Sequence, residues 1–76
     1  MSKADDMFKE LGYKKHIDNE YEVEFYCYDI YFTFDKEDKT IQKRVELDNV
    51  FLAKPVTIQE LQAINEKVKE LGWLDE

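Results

Sequence analysis

The chain has 76 residues, 43% of them hydrophobic and 14% aromatic, enough for one compact domain spanning 1–76 and too few for two cores. Its lone Cys27 excludes an internal disulfide and, with His16 the single histidine, leaves no zinc set, so neither a metal nor a cofactor is expected. The net charge of −7 favours basic partners over nucleic-acid phosphates, and no apolar run approaches the roughly 18 residues of a membrane span, so a cytoplasmic protein with no membrane role is expected.

From Ser2 to Leu11, the apolar positions Ala4, Met7, Phe8 and Leu11 share one side of a helix. Ser2 is its N-cap, with Asp5 three residues on, and Gly12 ends it. From Tyr13 to Tyr28 the period changes to two. In Glu20 to Tyr28, Tyr21, Val23, Phe25 and Cys27 form an inward face, with Glu20, Glu22, Glu24, Tyr26 and Tyr28 outward. Ile30, Phe32 and Phe34 continue the inward face in the next run, and Ile41, Val45 and Leu47 in the one after it. Lys43 is the single polar residue on that face, expected near an edge where its ammonium reaches water.

Registers follow because directly opposed residues share a face. Cys27 opposite Ile30 sets Phe25 against Phe32 and Val23 against Phe34, with Tyr28 and Asp29 as the turn. Phe34 opposite Ile41 sets Ile30 against Val45 and Tyr31 against Arg44. For Tyr13 to Ile17, a three-residue loop over Asp18 to Glu20 aligns Ile17 with Tyr21 and Tyr13 with Phe25, and sets His16 against Glu22 and Lys14 against Glu24. From Asp48 to Val56 the chain is too apolar for an ordinary loop. Val50, Phe51 and Leu52 are left open between a short edge strand, core cover and an exposed contact for a partner, and a weak homodimer through Val50 to Leu52 or through an exposed strand edge is a further alternative. The stripe Ile58, Leu61, Ile64, Val68 and Leu71 then marks a second helix, opened by a Thr57/Glu60 capping box and stopped at Gly72.

The expected fold is α+β, a two-layer sandwich in which an antiparallel four-stranded meander carries the N- and C-terminal helices on one face, α-β-β-β-β-α. The near-repeat of "KELGY" at Lys9 to Tyr13 and "KELGW" at Lys69 to Trp73 reads as two helix stops, each Gly followed by an aromatic that folds back on the last turn.

Chemistry is sparse. His16 faces only Glu22 in this register, Cys27 lies among aromatics as a small hydrophobe, and "DKEDKT" lacks the glycine of a calcium loop, so no catalytic residue is assigned and no enzyme is expected. The charge is unevenly placed: Asp18 to Asp38 holds eight acids and one base, net −7, while the rest of the chain sums to zero. Tyr26, Tyr28 and Tyr31 lie among these acids. Base-stacking platforms are flanked by Lys and Arg, so direct nucleic-acid binding is not expected. A protein-binding face is expected instead, made of Glu22, Glu24, Tyr26, Tyr28, Tyr31 and Arg44. The alternatives are a DNA mimic that blocks a host nuclease or DNA-binding protein, and a small enzyme or metal binder using His16 and nearby carboxylates.

"MFKELGY", the Tyr/Phe-rich meander with "FDKEDKT" and the closing "TIQELQAINEKVKELGW" resemble small uncharacterised proteins encoded by phages and prophages of low-GC Gram-positive bacteria. The resemblance implies an accessory protein of an infected or lysogenic cell. It carries over no functional residues.

Overall fold

The computed structural model describes residues 2–47, 50–53 and 55–74, with 47 and 50–53 described at the backbone level. Helix α1 (Lys3–Glu10) is followed by strands β1 (Lys14–Asp18), β2 (Glu22–Cys27), β3 (Ile30–Asp35), β4 (Thr40–Leu47) and β5 (Val50–Ala53), and helix α2 (Ile58–Glu70) closes the chain. The strands form one antiparallel sheet in sequence order, with both helices on one face. This is the expected α+β meander, lengthened at its β4 edge by β5. Whether the side chains of Val50, Phe51 and Leu52 cover the core lies outside the described residues.

Each helix starts and stops by local chemistry. Ser2 Oγ accepts from the Asp5 N–H at 2.8 Å. Thr57 and Glu60 form a reciprocal capping box, at 3.1 and 3.0 Å. At the other ends Gly12 and Gly72 take left-handed φ values of +96° and +78°. The N–H of Tyr13 then reaches Phe8 O at 2.9 Å and that of Trp73 reaches Val68 O at 3.0 Å, the long hydrogen bond of a Schellman ending in both cases. Tyr13 also meets Phe8 edge-on, with ring centroids 5.9 Å apart.

Phe8 is the centre of the core. Its ring stacks on Phe25 at 4.2 Å and meets Phe32 and Phe34 edge-on at 5.6 and 6.0 Å. Val23, Ala63, Ile64 and Val68 complete the buried cluster. The β2–β3 and β3–β4 registers are those expected from the alternation, including Phe25 opposite Phe32, Phe34 opposite Ile41 and Tyr31 opposite Arg44.

Three expectations are corrected. First, β1 pairs Lys14 with Tyr26, Lys15 with Phe25, Ile17 with Glu24 and Asp18 with Val23, with a bulge between Lys15 and Ile17. The extra residue is His16, whose ring turns onto Glu24 instead of Glu22. The loop before β2 is set by Asn19, whose Oδ1 accepts from the N–H groups of Tyr21 and Glu22; Tyr21 thereby leaves the strand and is 61% exposed instead of inward.

Second, α2 is turned relative to its aliphatic stripe. Glu60, Ala63, Ile64, Lys67 and Val68 face inward, whereas Ile58 and Leu61 are 67% and 47% exposed. The reason is ionic. Lys67 Nζ, buried under the helices, contacts Asp5 Oδ1 at 3.1 Å and Glu70 Oε2 at 2.8 Å, and Glu60 finds partners in the sheet. Third, Lys43 is mostly withdrawn from water, its side chain 9% exposed. Its Nζ donates to Glu60 Oε1 at 2.7 Å and to Pro55 O at 2.8 Å, 5.5 Å from the centre of the Phe32 ring. Tyr13 Oη donates to the other Glu60 oxygen at 3.0 Å. Burial alone would raise the Glu60 carboxyl, but hydrogen bonds from Lys43, the Thr57 N–H and Tyr13 outweigh it and hold it below the usual range. Burial and the adjoining Glu60 carboxylate push the Tyr13 phenol well above its ordinary value.

Candidate functional site

Both helices lie on the inner side of the sheet, so its outer side carries the residues singled out as an interaction face. Alternation along β2 and β3 sends Glu24, Tyr26, Tyr31 and Thr33 to this side, and the registers join them to Arg44. Tyr26 and Tyr31 are stacked, centroids 6.3 Å apart. His16 meets Tyr26 edge-on at 5.3 Å on one flank, and the Arg44 guanidinium lies 5.6 Å from the Tyr31 ring on the other. A row of planar groups therefore crosses four strands in the order His16, Tyr26, Tyr31, Arg44. Stacking and cation–π contact hold such a row with little side-chain freedom left to lose on binding.

Glu24 lies under this row and is 6% exposed. Its Oε1 is 3.0 Å from His16 Nδ1, while its Oε2 accepts from Thr33 Oγ1 at 3.1 Å and Arg44 Nη2 at 3.2 Å. Arg44 also donates to Thr33 Oγ1 at 2.8 Å. The carboxylate is thus committed to orienting the two ends of the row, and it is not presented to a partner. His16 and Thr33 were missed as members of the face. Their signal was the bulge for one and simple outward alternation for the other.

The remaining expected residues lie at opposite ends of β2. Glu22 pairs with Asp35 at one end, and Tyr28 occupies the turn at the other, about 20 Å away at the ordinary rise of a strand. Tyr28 is 91% exposed and has φ of +56°, a left-handed backbone that a bulky residue seldom adopts. A shallow cleft of about 300 Å³, lined by Gly12, Lys14, Tyr26, Cys27 and Tyr28, opens beside it. A groove of about 610 Å³ between α1 and β1 is larger, but its Asp5 and Lys15 side chains are 2.7 Å apart and satisfy each other.

The acidic charge is on the rim more than on the face. The meander brings the β1–β2 and β3–β4 loops to the same end of the sheet, where the Lys36 N–H donates to Tyr21 O at 2.8 Å and its Nζ to Asn19 O at 2.6 Å. Asp18, Glu20, Glu22, Asp35, Glu37 and Asp38 gather there against Lys36 and Lys39, leaving a local formal charge of −4. Asp35 is spent on loop structure, accepting from the Glu37 and Asp38 N–H groups at 2.9 and 3.0 Å.

Among the described residues, no three His, Cys, Asp or Glu side chains converge as a metal site, and no helix is long and apolar enough to cross a membrane. No family model, curated protein or solved structure matches the chain.

Proposed function

We propose that this protein is a non-enzymatic accessory factor of a phage or prophage that binds a basic protein through the outer face of its sheet. The phage setting rests on the likeness of "MFKELGY", "FDKEDKT" and the closing helix to such proteins. The observation that carries the binding reading is Tyr28, a large aromatic at a strained backbone position and almost wholly in water. Glycine at that turn would be easier to accommodate, and local strain held at an exposed aromatic is characteristic of a contact residue. The ordered row from His16 to Arg44 supplies rigid contact area, and the acidic rim steers and orients a basic partner.

The test is affinity capture from a bacterial host followed by titration of the identified protein. Tyr28→Ala and Tyr31→Ala should each weaken binding at least about tenfold, as the loss of an aromatic anchor does. Glu20→Lys with Glu37→Lys should slow association and flatten its salt dependence. Binding that none of these changes affects overturns the proposal. The clustering of acids on two adjoining loops favours a second reading, a DNA mimic, and competition by duplex DNA for the same partner separates it from the first.

A further inference from the structure

We propose that two copies of the chain associate about a two-fold axis by pairing their β5 edges, with the exposed apolar turn of α2 packing across the seam. This surface is distinct from the outer face proposed above. The two edges of the sheet are built differently. Edge strand β1 carries Lys14, Lys15 and the bulge at His16, the devices by which proteins prevent further strand pairing. Edge strand β5, Val50–Ala53, has neither a charged residue nor a proline, and its pairing with β4 runs without a bulge from Leu47 opposite Val50 to Arg44 opposite Ala53. Among the described residues no further strand pairs with its outer side, so it is a regular edge available to another strand.

Helix α2 supplies the second observation. Lys43 of β4 holds Pro55 O and Glu60, which places the first turns of α2 over β4, one strand from the open edge. Along this helix the charged Glu60 and Lys67 are buried, while Ile58 and Leu61 of its first turns and Val56 just before its cap stand 67%, 47% and 45% exposed. The ion pairs of Glu60 and Lys67 set which side of α2 faces inward, and they leave Val56, Ile58 and Leu61 as an apolar patch whose exposure a covering partner would relieve.

Charge identifies the occupant as a second copy. A chain of net −7 repels itself, yet from Val50 to Asn65 the only charged residues are Lys54 and the inward, paired Glu60. A two-fold axis pairs β5 antiparallel to its mate, so the two acidic ends point in opposite directions and the neutral segments meet. A basic partner would find no complementary charge on this surface.

Sedimentation from about 10 µM to about 1 mM, combined with amide hydrogen exchange, tests the proposal. The expected result is a concentration-dependent dimer in which exchange at Val50–Ala53 slows as dimer forms. Ile58→Glu and Leu61→Glu, at exposed positions, should keep the monomer's circular dichroism and raise the dimer dissociation constant at least about 100-fold, since each buries an unpaired charge. A monomer throughout the range, a dimer that survives both substitutions, or one that leaves β5 exchange unchanged overturns it.

Discussion

Replacing Glu60 with alanine should come close to unfolding this domain. Glu60 closes the α2 capping box, neutralises Lys43 and accepts from Tyr13 Oη. The Lys43 and Glu60 side chains are 9% and 11% exposed, so the pair is little screened and its loss leaves an ammonium against Phe32 with the Pro55 carbonyl but no counter-charge. Breaking one side of such a pair costs about 3–5 kcal/mol, a figure that already includes part of the unsatisfied Tyr13 hydroxyl and the lost cap, because these terms share one residue. Total stability for a domain of this size is about 4–11 kcal/mol, with small cores toward the lower end. Urea melts followed by the fluorescence of Trp73 measure the difference, and Lys43→Met with Glu60→Met should recover most of the loss by removing both charges. A Glu60→Ala midpoint that corresponds to less than about 1 kcal/mol, or a double variant no better than the single, would refute the reasoning.

The carboxyls of Asp5, Asp18 and Glu60 are held below their ordinary values, so their contribution is present above those values and disappears as pH falls; stability should decline below about pH 4.5, the ordinary value for Glu60. For Tyr13 and Lys15 the shift is upward, and stability should decline above about pH 10, followed by phenolate absorbance and circular dichroism. Tyr28→Gly relieves left-handed strain and loses almost no buried area, so it should stabilise the fold by up to about 1 kcal/mol in a thermal melt while weakening partner binding. Gly72→Val should destabilise by about 1 kcal/mol or more through backbone strain alone, since a Cβ there meets nothing within 4 Å; chemical denaturation measures it. Charge reversal at Glu24, unlike Glu22, should unfold or loosen the sheet, because its carboxylate holds Arg44, Thr33 and His16 together; comparison of the two variants by circular dichroism decides this.

What could be read from the residues alone divides along local and distant causes. The β2–β3–β4 registers were legible because a one-residue slip would move Phe25, Phe32 and Phe34 out of the core. The helix ends were legible because capping and left-handed glycines are settled within a few residues. The β1 register was not, since opposing Lys14 to Glu24 looked favourable while Glu24 was in fact claimed by Arg44, twenty positions away. The face of α2 was misread for the same reason: aliphatic periodicity cannot reveal that Lys67 meets Asp5, 62 positions away. At the candidate site, the tyrosines and Arg44 were found by alternation, whereas the burial of Glu24 beneath them depends on three partners brought in by other strands.

The 2% exposure of the Lys67 side chain has a practical corollary. An acylating reagent in solution can modify that amine only when α1 and α2 part, so its labelling rate counts openings of the helical layer. Lys3, with a side chain 76% exposed, is labelled in the closed molecule and supplies an internal reference. The two amines on the same chain thus make breathing of the domain measurable by mass spectrometry without any engineered label, and a partner bound on the opposite side of the sheet would announce itself by slowing one rate and leaving the other alone.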